Sequence, residues 1–309
     1  MRRASRVAAL GAVTILLAAG SAVSALYVPG VALLVLVLGA EASVRVAARR
    51  ASVRLELGER SVEEGRRAAL AVHAGGWSYA LSRGALMPLP GAAWRPVGFR
   101  GTVVELALRP ARRGEHAVGP ATVRFGDPFG ICRREIRSAE ASLLVLPRVE
   151  RIRREHLERA LGLGRARALL DDGPDVDGLR SYRPGAPASD EALDRAVRAA
   201  ASLCVGIAGV GGCSLLLPGA QEAHAIRPDL ASWPYLHERL ARVRSGVRPV
   251  WTVARRARSV VWVGAGAPED GRGAVSCTVS PLPRKGAPVL FEIAGCAVQP
   301  AGRSTASAA

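Results

Sequence analysis

Five cysteines and five histidines are the residues of this chain best suited to nucleophilic or metal chemistry. A nucleophilic cysteine needs a base in contact with it, and no local motif places a histidine beside a cysteine. The cysteine number is odd and no Cys-x-x-Cys occurs, which argues against a zinc site or a disulfide framework. We therefore expect buried thiols in a reducing compartment, with the histidines at the surface. The cysteines are Cys132, Cys204, Cys213, Cys277 and Cys296, and the histidines expected at the surface are His73, His156, His224 and His237.

The sequence motifs for metal binding and phosphate binding are absent or incomplete. A magnesium site would need hard oxygen ligands, as in an Asp-x-Ser-x-Ser loop after a strand, and the sequence has no such loop. Asp171, Asp172 and Asp175 cluster in a Gly- and Pro-rich stretch and are interpreted as solvated loop charges. Gly264–Gly266 follows an apolar segment, but Glu269 stands where a dinucleotide fingerprint has its third glycine. The sequence thus predicts no catalytic residue, no cofactor site and no metal site.

The net charge of +17 is the most unusual bulk property. Lys285 is the only lysine among 43 basic residues, and the arginines are spread along the whole chain. A nucleic-acid surface would cluster them among exposed aromatic side chains, whereas aromatics make up 4% of this chain. We therefore expect no nucleic-acid partner. Attraction of the arginines to anionic membrane lipid explains the charge better.

The N-terminus predicts a membrane hairpin over residues 1–50. An apolar run over about 7–26 follows three arginines, and at about 1.5 Å per residue it can cross the hydrocarbon. Tyr27–Gly30 is predicted as a turn, and a second helix follows over about 31–48, interrupted by Glu41. Both ends of the hairpin are arginine-rich, so the positive-inside rule places them, and everything after them, in the cytoplasm.

Two other interpretations of this segment stay open. A secretory signal peptide would have the same basic start and apolar stretch, with Val23-Ser24-Ala25 as its cleavage site. The long apolar stretch and the second run directly after it argue against cleavage. The second run would otherwise be a buried strand of a soluble domain.

Residues 51–150 predict an antiparallel β-sandwich. Short apolar or alternating runs are separated by Gly and Pro, which is typical of this architecture. The predicted strands are Val53–Leu57, Ala69–Val72, Thr102–Leu108, Val118–Phe125 and Leu143–Leu146.

Residues 151–189 are predicted to be a linker, and residues 190–299 an α/β domain. Ser189 is a candidate cap for a helix reaching Ile207, and Ser232 for a second helix with Pro234 in its first turn. The apolar segments 214–217 and Val260–Val263 are predicted strands. Alternation of helices and strands favours a parallel sheet. Residues 300–309 are predicted to be a disordered tail.

Two motifs resemble a known family. The first runs over Arg113–Pro120 and continues to Gly126–Gly130, and the second runs over Asp177–Gly185. Together they resemble the bacterial family called domain of unknown function 58, whose members carry a membrane hairpin, a sandwich and then a von Willebrand A-like α/β domain. The motif residues, for which we expect structural roles, are Asp127, Pro128, Phe129, Gly130, Gly178, Leu179, Arg180, Tyr182, Pro184 and Gly185.

The residue types of these motifs have physical reasons. Asp127-Pro128 favours a turn, and Gly130 permits the positive φ that such a turn needs. Phe129 is expected to fill the end of the sandwich. Tyr182 offers an apolar ring with a hydroxyl group that can bond.

The chain departs from the family after the second motif. Family members continue with an acidic residue and a long basic stretch that leads to the first strand of the α/β domain. Here Ala186 stands at the acidic position and the chain runs almost directly into a helix. We therefore predict an internally shortened, truncated α/β domain that lacks its first, central strand. Either Val260–Val263 takes that place or the sheet is split.

The resemblance also implies a function. Proteins of this family accompany a MoxR-type AAA+ ATPase and often a transglutaminase-like membrane protein. The chain is accordingly expected to be a non-catalytic, membrane-tethered adaptor, because tethering raises the effective concentration of partners near one surface. Two alternatives stay open: a membrane-associated hydrolase with an unrecognised Cys/His site, and a degenerate remnant without function.

Overall fold

The computed structural model describes residues 2–21, 23–75, 83–86, 95–100, 103–161, 176–177, 190–244, 260–264 and 275–301. The chain forms two compact units. The first unit comprises Met1–Arg60, Arg67–Arg109 and Ala117–Leu143, and the second comprises Ser61–Arg66, Pro110–His116 and Leu144–Ala309. The units are interleaved in sequence, because two short segments from the sandwich region belong to the second unit.

The first unit begins with two helices, α1 (Arg2–Ser21) and α2 (Tyr27–Arg50), joined through a short 3₁₀ turn at Ser24–Leu26. Their 20 and 24 residues correspond to about 30 and 36 Å. Both are long and apolar enough to span a membrane, as predicted. The predicted turn at Tyr27–Gly30 is wrong, since these residues form the first turn of α2. Pro29 is tolerated there because the first turn leaves its backbone N–H groups without helical partners.

Glycines bring the two helices into close contact. A Cβ atom on Gly30 would lie 2.6 Å from Cγ1 of Ile15, and one on Gly11 would lie 3.0 Å from the carbonyl oxygen of Gly30. Small residues at such crossings let two helix backbones approach closely. The outer surface of the hairpin stays apolar and uncovered, with Leu16 70% and Val28 73% exposed.

Ten strands follow before the next helix. They are β1 (Ser52–Leu57), β2 (Ser61–Glu63), β3 (Ala68–Gly75), β4 (Arg83–Leu86), β5 (Arg95–Arg100), β6 (Val103–Leu108), β7 (Gly114–Val118), β8 (Thr122–Gly126), β9 (Arg133–Arg137) and β10 (Ala141–Leu146).

Two antiparallel sheets build the rest of the first unit, with strand orders β1-β3-β6-β5 and β4-β8-β9. Strand β3 alternates, so that Leu70 and Val72 are buried while Ala69 is exposed. Phe125 and Val123 of β8 form an apolar cluster with β3 and with α2. The prediction of antiparallel sheets in this region is thereby confirmed, and α2 is joined directly to them.

One predicted strand is wrong. Val118–Phe125 is interrupted, since β7 ends at Val118 and β8 begins at Thr122. Between them Gly119 has φ +104° and Pro120 lacks a backbone N–H, and neither fits a continuous ladder. Strand β9 was not predicted, because its four arginine and glutamate residues hide the alternation of a half-buried strand.

Among the described residues, the second unit contains three helices and the seven later strands. They are α3 (Arg154–Leu161), β11 (Val176–Asp177), α4 (Asp190–Gly211), β12 (Cys213–Leu216), β13 (His224–Ile226), α5 (Trp233–Ala241), β14 (Val260–Val263), β15 (Val275–Ser280), β16 (Phe291–Ile293) and β17 (Cys296–Pro300).

Helix α4 is the centre of the second unit. Leu203, Cys204 and Ile207 are buried in one cluster with side chains of α5 and of the strands β12 to β17. The sheets have strand orders β2-β10-β7, β11-β12-β13 and β14-β15-β17-β16. This mixture of α-helices and sheets confirms the coarse prediction for the fold.

The prediction of a parallel sheet is correct only in part. Strand β14 runs parallel to β15 and β11 to β12, but β13, β16 and β17 pair antiparallel. Short connections explain this, since a turn at Ala294–Gly295 between β16 and β17 can join only antiparallel neighbours. Ser232 stands at the predicted N-cap position of α5, with Pro234 in the first turn, but its hydroxyl donates to the carbonyl oxygen of Ala225 rather than capping the helix. Ser189 lies outside the described residues.

Candidate functional site

The second unit holds three buried charged residues and one half-buried arginine in one place. Glu64, Arg113 and Asp194 are each less than a tenth exposed, and Arg198 lies one turn after Asp194 on α4. We call Glu64, Arg113, Asp194 and Arg198 the ionic cluster. Charged side chains are rarely buried unless they are paired, so the contacts of each one define what the cluster does.

Arg113 contacts both α4 and α5. Its Nε lies 2.9 Å from Oδ1 of Asp194 on α4. Its Nη1 donates to carbonyl oxygens at and just after the end of α5, those of Leu240 (3.2 Å), Ala241 (3.0 Å) and Val243 (2.9 Å). The last carbonyls of a helix lack the partners that a further turn would supply, and a cation there also complements the helix dipole. The carbonyl oxygen of Leu240 accepts from the backbone N–H of Val243 as well. The Nε–H itself is aligned with no acceptor among the described residues, so its link to Asp194 is an ion pair by proximity.

Glu64 collects donors from three other parts of the unit. Its carboxylate accepts from the backbone N–H of Arg113 (2.8 Å) and of Arg148 (3.2 Å). It also accepts from Nε (2.6 Å) and Nη2 (3.2 Å) of Arg198. A carboxylate has about four lone-pair sites, and all of its hydrogen-bonding capacity is used here.

The two ion pairs differ in their electrostatics. Burial raises the pKa of Asp194 and lowers that of Arg113, because desolvation outweighs their mutual attraction. The pKa of Arg198 is raised, because its hydrogen bond to Glu64 outweighs desolvation. The cluster is thus an extensively hydrogen-bonded but costly framework, with the Nε–H of Arg113 held only by charge, and this suits a positioning role better than proton transfer.

A cleft of about 680 Å³ opens beside the cluster. It lies between segment 112–116, the first turn of α4 and the end of α5 up to Arg244. Its rim carries the exposed side chains of Arg112, Arg242 and Arg244, which outnumber the exposed carboxylates of Glu115 and Asp190. Among the described residues, Arg112 and Arg244 have no carboxylate at ion-pair distance, and Arg242 has only Glu238 at 3.5 Å. Such a rim suits acidic groups of a partner.

The first family motif forms a tight turn in the first unit. Asp127 is buried, and its carboxylate accepts from the backbone N–H of Phe129 (2.9 Å) and of Cys132. Gly130 has φ +69° and donates to the carbonyl oxygen of Asp127. The expectation that Phe129 fills the end of the sandwich is wrong, since it is 67% exposed while Phe125 is fully buried. Pro128 provides the preset φ of the turn.

The second motif cannot be placed in the same way. Gly178, Leu179, Arg180, Tyr182, Pro184 and Gly185 lie outside the described residues, as do Asp171, Asp172 and Asp175. Asp177, at the start of that motif, belongs to β11.

The described histidines differ from prediction at one position. His237 is buried rather than at the surface: it stacks on Trp233, and its Nε2 lies 2.8 Å from the carbonyl oxygen of Pro147. Burial lowers its pKa. His73, His156 and His224 are half-buried. In the described ranges, no group of His, Cys, Asp or Glu is arranged to hold a metal ion.

The cysteines are buried as predicted, except for the half-buried Cys132. Burial raises the pKa of Cys277 and of Cys296 to about 12. Cys204 also has a raised pKa, first because of its contact with Cys213. Thiols with such values stay protonated near neutral pH and are poor nucleophiles.

This burial predicts the pattern of thiol labelling. In the native chain in mild detergent, we expect a maleimide to modify only Cys132, and slowly, because burial and Asp127 raise the pKa of its thiol. Denaturant should release all five thiols. Mass spectrometry of the labelled peptides measures this, and rapid native labelling of Cys277 or Cys296 would contradict the burial described above.

Sequence analysis missed the ionic cluster, although one signal was present. Asp194 lies three residues before the buried Val197 and four before Arg198, so a charge occupies the core-facing stripe of α4. Nothing in the sequence pairs that charge with Glu64 or Arg113, which lie far away along the chain.

Comparison with known proteins adds no assignment. No protein-family model matches this chain, and no curated protein matches it. Its function therefore has to be argued from the residues and contacts described above.

Proposed function

We propose that this chain is a membrane-anchored, non-catalytic adaptor of the bacterial inner membrane. Helices α1 and α2 cross the bilayer, and the remaining chain lies in the cytoplasm, where arginines at the ends of the hairpin favour it. One observation carries the proposal: the hairpin is closely packed on its inside through Gly11 and Gly30, while its outside is covered with exposed aliphatic side chains. An apolar surface of this kind is unfavourable in water and is favourable in contact with lipid tails.

The resemblance to the domain of unknown function 58 family supplies the partner. It supports a MoxR-type AAA+ ATPase, with a transglutaminase-like membrane protein as a further component. It also makes the second unit a shortened relative of the von Willebrand A-like domain. Among the described features, the cleft rimmed by Arg112, Arg242 and Arg244 has the charge and size to receive acidic side chains of such an ATPase.

The ionic cluster explains why this cleft would keep its shape. Arg113 donates to the carbonyl oxygen of Ala241 at the end of α5, and it is ion-paired with Asp194 on α4. The exposed rim arginines therefore project from fixed backbone. A preorganised surface binds with less loss of conformational entropy than a mobile one.

Capture of the tagged full-length chain from gently solubilised membranes tests the adaptor. We expect an AAA+ ATPase in stoichiometric amount, and we expect the chain to remain in the membrane during alkaline extraction. The Arg242→Glu/Arg244→Glu variant should retain roughly tenfold less ATPase, equivalent to about 1.4 kcal/mol, because it reverses the charge of the rim.

The control is Arg151→Glu/Arg153→Glu, which reverses two exposed arginines of the same unit that do not line the cleft. It should retain the ATPase as the unaltered chain does. A folded chain that brings down no AAA+ ATPase would overturn the adaptor function, and release by alkaline extraction would overturn the anchor.

A further inference from the structure

Phe129 is an exposed aromatic residue at the tip of the β8–β9 hairpin in the first unit. A single exposed apolar side chain is ordinary on a protein surface. This one differs because a buried carboxylate, that of Asp127, holds the backbone N–H of Phe129 and of Cys132. The turn is therefore built to present the ring outward.

Contacts within the first unit place this tip beside α2. Cys132, at the base of the turn, packs on the apolar cluster that contains Val44 and Ala47 of α2. The carboxylate of Glu41 is also near enough to contribute to the raised pKa of the Cys132 thiol, after burial and Asp127. The tip thus lies near the part of α2 where its long apolar run ends, at Ala40.

Helix α1 indicates the same membrane boundary as α2. Gly11 meets Leu33 and Leu34, whereas Ile15, one turn later, meets Gly30, so α1 and α2 run antiparallel. Continuing in that direction brings the basic start of α1, at Arg3 and Arg6, alongside the end of the apolar run of α2. Charges on both helices at this level mark the boundary between hydrocarbon and headgroups.

Strand β9 adds positive charge next to the turn. Arg133, Arg134 and Arg137 are exposed. The one acidic residue of the strand, Glu135, is already bound by Arg124, with 2.7 Å between Nη2 and Oε1. The arginines of β9 therefore keep their positive charge available to an outside ligand.

We propose that the Asp127–Gly130 turn and strand β9 form a second membrane contact, in which Phe129 enters the headgroup region and the β9 arginines bind phosphates of anionic phospholipid. The inference rests on the proposed anchoring by α1 and α2. Aromatic rings favour the interface of a bilayer, and arginines beside them are attracted to anionic lipid. The contact would fix the tilt of the first unit on the membrane, which a hairpin alone would leave free.

Spin labelling of the full chain in nanodiscs tests this contact. A nitroxide at Phe129→Cys, with Cys132→Ser to remove the half-buried thiol, is compared with one at Glu59→Cys in the same background. Glu59 is exposed and follows β1, whose six residues lead away from α2 over about 20 Å. We expect the label at 129 to collide with oxygen and to lose collisions with a water-soluble nickel chelate, and the label at 59 to behave oppositely.

The lipid composition and the arginines give the second arm. Phosphatidylglycerol in the disc should move the label at 129 deeper than phosphatidylcholine alone, and Arg133→Gln/Arg134→Gln should abolish that difference. If the membrane depth of the label at 129 is the same with and without phosphatidylglycerol, the proposed role of the arginines is overturned. Equal nickel access at 129 and 59 in a chain that enters nanodiscs would overturn the contact and leave the anchor intact, whereas failure to enter nanodiscs would overturn both.

Discussion

Replacing Arg113 by methionine is expected to lower the free energy of unfolding of the second unit by about 3–5 kcal/mol. The methionine keeps an unbranched apolar stem but leaves the Asp194 carboxylate buried without its cation. It also removes the Nη1 donor from the carbonyl oxygens of Ala241 and Val243, whereas that of Leu240 keeps the backbone N–H of Val243. Each loss is costly in a buried site, and the two losses fall on both helices at once.

Chemical unfolding in mild detergent, followed by far-ultraviolet circular dichroism, measures this effect. Arg112→Met is the matched control, because the neighbouring arginine is exposed and its replacement should change stability by no more than about 0.5 kcal/mol. Equal effects at the two positions would mean that the ionic cluster does not stabilise the unit.

The pH dependence of the loss gives an independent check. The pKa of Asp194 is raised in the folded state, so the folded chain binds a proton there more readily than the unfolded chain. The stability associated with this carboxyl is therefore present at acid pH and is lost as the pH rises through its folded pKa. Without Arg113 this trend should strengthen, and the loss should shrink as the pH falls toward about 4.

Pairing the change with Asp194→Leu separates desolvation from attraction. Removing both charges leaves no buried carboxylate, so the double variant should recover part of the loss. Recovery should stay incomplete, because the carbonyl oxygens of Ala241 and Val243 still lack the Nη1 donor. A double variant less stable than Arg113→Met alone would contradict the view that desolvation outweighs attraction in this pair.

Local sequence patterns are sufficient to predict helices and strands that bury one face or all of their faces. The two apolar N-terminal helices, the alternating β1 and the wholly apolar β14 were predicted because their periodicity is strong. Errors occurred where one residue changes the backbone locally: Pro29 was interpreted as a turn although it begins a helix, and Gly119-Pro120 interrupted a predicted strand.

The candidate site is harder to predict because its contacts join residues that lie far apart in the sequence. Glu64 and Arg198 meet across 134 residues, and Arg113 reaches carbonyls more than 120 residues away. No local period encodes such contacts. His237 illustrates the same limit, since its burial depends on a carbonyl 90 residues earlier.

Strand β14 carries the second large prediction. It does not take a central position among the described residues, since it is an edge strand of the sheet β14-β15-β17-β16, and β11, β12 and β13 pair in a separate sheet. All four residues of β14 are buried. Val261 and Val263 join the cluster around α4, while Val260 and Trp262 pack on the opposite face with Val275. Trp262 is 1% exposed. Trp262→Ala should therefore cost about 3–5 kcal/mol of unfolding free energy, measured by chemical unfolding as above.

Tyr235→Ala is the control for this substitution. Tyr235 is also aromatic and belongs to the same unit, but it is 60% exposed, and its ring contacts within the described ranges are an edge contact with His224 and a cation–π contact with Arg239. Its loss should stay near about 1 kcal/mol. If Trp262→Ala costs no more than Tyr235→Ala, burial of β14 on both faces does not stabilise the second unit. A large difference would mean that this burial contributes strongly to the stability of the second unit.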